Sequence, residues 1–189
     1  MKVRKPVLPI LIHVLLLWTT VAKAQEEKVG FYNTVYLSFA AGSNNADEVT
    51  LGAGLHDLFG YRWSLSFGAG IGVGVDNYAR LGETLYPVFA EIRHYLPSKS
   101  LRKFYLSMAG GHAFTFRQKN SDIIDAEGGR MLNPSVGFRT FSRDGTNVHF
   151  DLGVKFQNAR FTREQANGDL EFKKIQYRRI VLRIGLTIW

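Results

Sequence analysis

Apolar and other residues alternate along most of this chain with a period of two. Val35, Leu37 and Phe39 alternate with Tyr36 and Ser38, and Val49, Leu51, Ala53 and Leu55 with Thr50, Gly52, Gly54 and His56. In the stretch WSLSFGAGIGVGV, Trp63, Leu65, Phe67, Ala69, Ile71, Val73 and Val75 oppose Ser64, Ser66, Gly68, Gly70, Gly72 and Gly74. The same rule predicts strands over 88–93, 104–109, 132–139, 148–157 and 180–188. Side chains on a strand point alternately to its two faces, so each segment has one apolar face and one smaller or more polar face. Eight strands are expected. Beyond residue 24 no segment sustains helical periodicity, and none is apolar over the roughly 20 residues that a membrane-spanning helix needs.

The links between strands are expected to alternate as well. After the second, fourth and sixth strands come short links, around 57–60, 97–102 and 142–146, the last carrying the hairpin signal Asp144-Gly145. After the first, third, fifth and seventh come polar links, mostly longer, at 42–47, 76–83, 118–130 and 160–174. An even number of antiparallel strands, with short turns at one end and longer loops at the other, is the plan of an up-and-down transmembrane barrel.

Alternation alone fits a soluble barrel equally well, so the composition of the two faces has to decide. A water-facing exterior would be rich in Lys, Glu, Asp and Asn. Here the face opposite the apolar one is small or hydrogen-bonding, and four alternate glycines on a solvated face would weaken the strand for no packing return. Inside an eight-stranded barrel the same residues make room for long side chains from other strands. Glu91, Arg93, Arg139, His149, Asp151, Lys155 and Arg183 are therefore expected to project inward as a polar network, paired because isolated buried charges are not tolerated. His149 and Asp151 share one strand and one face. Two aromatic girdles are expected at the membrane boundaries, with Phe59, Tyr61, Trp63, Tyr95, Phe104 and Trp189 at the short-turn end. Tyr78, Tyr86, Phe114, Phe116, Phe156 and Phe161 would form the other. His112 falls on the lipid-facing side of the alternation, which suggests a bulge. The last strand, ending on Trp189, is expected to pair with the first and so leave no open edge in hydrocarbon.

The first 24 residues change the reading of charge. Lys2, Arg4 and Lys5 precede an apolar run, and Ala22-Lys23-Ala24 has the small-x-small pattern of a cleavage site. This predicts a secretory signal peptide over 1–24 and a barrel over 25–189. Four of the 24 Lys+Arg lie in that segment, so the remaining 20 face 16 Asp+Glu. That balance is no nucleic-acid footprint. The chain has no cysteine, which rules out disulfides, a thiol nucleophile and a lipidated N-terminal Cys.

With its eight alternating segments and the stretches LYPVFAEIRHYL and RIGLTIW, the whole chain beyond residue 24 resembles the small eight-stranded bacterial outer-membrane proteins of the OmpA and OmpX architecture. In particular the two stretches are similar to the "outer membrane protein beta-barrel domain" chains of Bacteroidetes-type bacteria. The resemblance implies the cell outer membrane, contact with its lipid and lipopolysaccharide, a monomer, and a terminal aromatic, Trp189, read by the barrel-assembly machinery. The resemblance is specific for fold and uninformative about function; the motifs give no expectation of a cofactor, a metal or catalysis, which leaves a structural or surface-interaction role through the loops. Two other classes stay open. One is a lipid A-modifying enzyme on the same fold: no His here has Ser two residues later, as the PagL-type pair requires, the His56-Asp57 dipeptide lies at the wrong end for an omptin-like protease, and scattered PagP-like residues escape a motif test. The other is a soluble lipocalin-like binder. Asp122, Asp125 and Glu127 lack the spacing of a calcium loop. Mixed charges at Arg163, Glu164, Asp169, Glu171, Lys173 and Lys174 suit either lipopolysaccharide phosphates or plain solvation.

Overall fold

The period-two pattern folds as a meander that closes on itself. The computed structural model describes residues 29–43, 49–78, 83–97, 103–116, 123–140, 146–164 and 170–189; residues 1–28, including the expected signal peptide, lie outside them. Its strands are β1 (Gly30–Ser43), β2 (Val49–Arg62), β3 (Phe67–Tyr78), β4 (Glu83–Tyr95), β5 (Phe104–Phe114), β6 (Ile123–Glu127), β7 (Gly129–Arg139), β8 (Asn147–Glu164) and β9 (Leu170–Ile188). Every pairing is antiparallel. β6 and β7 both pair with β8 and meet at Gly128, so they are two parts of one stave. The barrel has eight staves, as the alternation predicts.

Closure is made by β1 and β9, in register from Asn33↔Ile188 to Ser43↔Arg178. With β1 held by β2 and β9 by β8, no long strand edge is left unpaired among the described residues, which is the condition for strands to cross hydrocarbon. The exterior is apolar. Phe31 is 82% exposed and Ile71 68%, and Leu51, Phe59, Leu152, Ile180 and Ile188 also face outward. In water this would be one continuous apolar patch far beyond what a soluble monomer shows. The polar side chains are inside, so a soluble lipocalin-like arrangement, with its bulky apolar residues inward, does not describe this chain.

Several expected boundaries move. The first short link is at 63–66, and residues 57–60 are inside β2. The sequence there has no Gly, Asn, Asp or Pro. The turn is made by side chains instead: Ser64 Oγ accepts from the backbone N–H groups of Ser66 (3.3 Å) and Phe67 (3.0 Å), and Arg62 donates to the carbonyls of Ser64 (3.1 Å) and Leu65. Ser64 and Ser66 thus belong to this turn and not to the third strand. The expected contrast in loop length also fails, because strands consume the polar links. β6 occupies part of 118–130, while β8 and β9 run for 18 and 19 residues into 160–174, against 11 for β5. The Asp144-Gly145 turn lies outside the described residues.

The glycines of β3 give space to neighbours. A side chain at Gly72 would run into the Phe89 ring, and one at Gly74 into the His56 ring. The interior thereby accepts full-sized aromatic and basic side chains from β1, β2, β4 and β5.

Candidate functional site

The lumen is the natural place to look for chemistry, since alternation sends every second residue into it. At its centre Glu91, wholly buried on β4, accepts from Arg93 Nε at 2.6 Å and from Arg183 Nη1 at 2.9 Å. Arg183 also pairs with Asp151 Oδ2 at 2.7 Å and donates to Ser135 Oγ at 3.1 Å. Arg93 donates to the Tyr36 hydroxyl at 2.6 Å. The two carboxylates therefore neutralise the two central guanidiniums while buried hydroxyls take further donors, the condition under which buried ion pairs persist.

From Asp151 a single chain of hydrogen bonds runs toward the turn end. Tyr105 donates its hydroxyl proton to Asp151 Oδ1, and the Tyr105 hydroxyl oxygen lies 3.0 Å from His149 Nδ1. One hydroxyl carries one proton, so the neutral imidazole must donate from Nδ1. Nε2 then accepts from Thr187 Oγ1 at 2.8 Å, which itself accepts from Thr34 at 2.6 Å. His149 and Asp151 share a face yet never meet directly; Tyr105 sits between them. The hydroxyl that meets His149 Nε2, that of Thr187, is buried with it.

Toward the loop end, Asp76 accepts from Lys155 Nζ and lies 3.1 Å from His56 Nε2. A cavity of about 10 Å³ between these groups, Arg183 and Met131 is barely the volume of one water. Both ends of the lumen are stoppered. At the loop end Tyr78 stacks on Tyr177 (5.0 Å between centroids) beside Leu85, Ala113, Phe161 and Ile175, with the Arg179 guanidinium 4.0 Å above Tyr78. At the turn end the guanidiniums of Arg62 and Arg139 stand 4.2 and 4.3 Å from the Tyr95 ring centre. Trp189 packs against Tyr32 there at 5.4 Å, and its indole N–H reaches the Asn147 side-chain amide at 2.7 Å, whose oxygen accepts from it once the amide is turned to suit its neighbours.

All seven residues expected in the polar network, Glu91, Arg93, Arg139, His149, Asp151, Lys155 and Arg183, are buried. Glu91, Arg93, His149, Asp151 and Arg183 join one cluster, Lys155 serves Asp76 above it, and Arg139 belongs to the lower stopper. The aromatic girdles come out thinner than expected. Phe59, Tyr61, Trp63 and Phe104 face outward below, and Tyr86, Phe114, Phe116 and Phe156 above. Tyr95, Trp189, Tyr78 and Phe161 sit on inward positions and close the lumen instead. His112 does face outward, against Phe114, without a bulge, because the β4–β5 register is unbroken there. The irregularity lies between Ile123 and Asp125.

Sequence reasoning missed Tyr36, Tyr105, Thr34 and Thr187, although their parity with Ser38, Ser107 and Gly185 marked them as inward. It also missed Asp76, placed at the start of a loop, and His56, placed beside a turn; both project inward from paired strands. Glu127 pairs with Arg160 at 3.0 Å on the exterior, and Asp122 lies outside the described residues. Among the described residues no three His, Asp or Glu side chains converge as metal ligands.

No family model matches this sequence, and no curated protein is similar to it. Solved structures are. The outer-membrane protein OprG from Pseudomonas aeruginosa superimposes with a TM-score of 0.57 at 12% identity, over 87% of this chain and 98% of that one. The fold is that of small outer-membrane barrels. AlkL, determined in DMPC lipid bilayers, gives a TM-score of 0.56 at 12% identity over 90% of this chain and 94% of its own. Neisserial surface protein A gives 0.53 at 14% identity over 86% and 99%. Such low identities carry the fold and nothing finer.

Proposed function

We propose that this chain is a non-catalytic protein of the bacterial outer membrane, exported by the segment 1–24, whose four-loop end faces outward and acts in surface interaction. The OmpA- and OmpX-like resemblance belongs to this reading, as does the reading of Trp189 by the assembly machinery. One observation carries it: the lumen is filled by paired charges and stoppered by aromatic and guanidinium groups at both ends. A filled lumen supports neither a diffusion pore nor a substrate pocket within the wall. Work is then left to the exterior and the loops.

Two measurements test this. Lipid A from cells that carry or lack the gene is expected to give the same mass spectrum, and a new acylation pattern would return the barrel to the lipid-modifying enzymes. Purified barrel in planar bilayers is expected to hold no steady open pore; a stable large conductance would make it a channel.

A further inference from the structure

The outer wall holds one carboxylate within its apolar belt. Asp57 lies well inside β2, and its nearest outward neighbours are Leu55 and Phe59 along the strand and Val35 and Val73 across it. Among the described residues no other Asp, Glu, Lys or Arg faces outward with apolar neighbours on all four sides. Its Oδ1 accepts from the Asn33 amide at 2.6 Å, and among the described residues it meets no cation. A charge on a lipid-facing wall is costly, and where one is kept it is paired. Asn33 has a second amide N–H and Asp57 a second oxygen, neither of which this bond uses.

Directly toward the turn end the wall is hollowed by a groove of about 480 Å³. Phe31 and Tyr61, ring to ring at 4.8 Å, stand on its turn-end side and Phe59 and Ile71 on the other, with the small Ala69 at its floor. Volumes of roughly 300–1,000 Å³ hold a whole small molecule, so an aromatic ring fits. Asn33 is the only side-chain amide that lines the groove, and no charged residue does.

Whatever covers this patch has to bring a hydrogen-bond donor to the depth of Asp57 and an apolar group for the groove. Acyl chains bring no donor. The outward cations described on the strands, Arg130, Arg160, Lys174 and Arg178, stand near the loop end of β7, β8 and β9. A second copy of this chain brings both groups. Turned about a two-fold axis along the membrane normal, it sets its own Asn33 and Asp57 at the same depth, and such a contact makes each bond twice. We propose that two copies of the barrel pair through the β1–β3 wall, Asn33 of each donating its second amide N–H to Asp57 Oδ2 of the other, while the Phe59 ring of each seats in the other's groove. Each carboxylate then accepts two amide donors instead of one, and the amides lie between the carboxylates. Lipid is as apolar as the wall, so hydrogen bonding and close packing carry the association. The pairing departs from the single copy that the resemblance implies. In wide lipid excess the copies separate, and there Asp57 remains a cost to the single barrel.

The test is cross-linking of the full-length mature barrel folded in lipid vesicles, in a chain with no cysteine of its own. Val35→Cys, outward beside Asp57, is compared with Val136→Cys, outward on β7 across the barrel, using a short bifunctional thiol reagent over a series of protein-to-lipid ratios. Val35→Cys should give a band of doubled mass, and Val136→Cys only the level of random collision. In the Val35→Cys barrel, Asn33→Leu and Asp57→Leu should each raise the protein-to-lipid ratio for half-maximal cross-linking about tenfold, the worth of two reciprocal hydrogen bonds within a membrane. Leu106→Ala, outward on β5, should leave that ratio unchanged. Retained heat-shift on electrophoresis verifies that each variant is folded. Equal yield from the two cysteines, or a Val35→Cys yield at the collision level, would leave the groove to lipid and overturn the pairing. Unchanged cross-linking in either Asn33→Leu or Asp57→Leu, or an equal loss in Leu106→Ala, would overturn it as well.

Discussion

Glu91 holds two guanidiniums that are buried with it. Removing a partner from a buried ion pair leaves the other charge uncompensated, at a typical cost of about 3–5 kcal/mol. Glu91→Ala should therefore lower the urea unfolding free energy in lipid vesicles by that order, and adding Arg183→Met should regain part of it, since the two losses are coupled. Strictly additive losses would show that Glu91 and Arg183 act independently. The opposite case is Asp57. It lies on the outward face of β2 between Leu55 and Phe59, held by the Asn33 amide at 2.6 Å. A carboxylate on the lipid face is a net cost, so Asp57→Leu should raise stability by about 1 kcal/mol; a clear loss instead would point to a partner for this group within the membrane. At this scale the sequence was legible as far as parity goes. Glu91, Arg93, Asp151 and Arg183 were assigned to the interior by alternation together with the composition of the two faces, but which carboxylate meets which guanidinium depends on strand register, and alternation does not encode register between strands.

The elements are where reading by pattern failed most visibly, and for a physical reason. Turn residues such as Asp-Gly announce themselves, whereas the link at 63–66 depends on Ser64 Oγ taking two backbone donors, a role open to any exposed serine. Ser64→Ala should cost about 1 kcal/mol of unfolding free energy; no change would mean that the Arg62 contacts alone make the turn. The loop ends of β8 and β9 were read as loops because their outward residues are Arg, Lys, Asn and Gln. Strand pairing persists there because backbone hydrogen bonds and inward residues such as Phe161, Ile175 and Tyr177 hold it. In β3 the alternating glycines were read correctly as space. Gly72→Val would drive a branched side chain into the Phe89 ring, and overpacking of this kind costs about 1–3 kcal/mol. Pairing it with Phe89→Ala should restore part of the loss, which urea titration of the single and double variants measures.

At the scale of the whole molecule, closure is the property from which the rest follows. Were β1 and β9 unpaired, two edges would present bare N–H and C=O groups to hydrocarbon, each at several kcal/mol, and the packed lumen would open along a seam. An even number of alternating segments made closure legible in the sequence; the stagger at which the first and last strands meet was not, because it emerges from all the intervening registers. That stagger is testable, since the chain has no cysteine of its own. Leu37 and Ile184 are direct partners across the seam, both on the exterior, and opposed strand residues lie about 4.5–5.5 Å apart at Cα, within reach of a disulfide. Leu37→Cys with Ile184→Cys should cross-link on oxidation of the folded barrel, giving a band of altered mobility after boiling that reductant removes. Leu37→Cys with Ile180→Cys, displaced by four residues or roughly 13 Å along the strand, should not. Equal cross-linking of both pairs would mean a seam that slips, and cross-linking of the displaced pair alone would mean a different stagger, with the inward partners of β9, Arg183 and Thr187, moved away from Glu91 and Thr34.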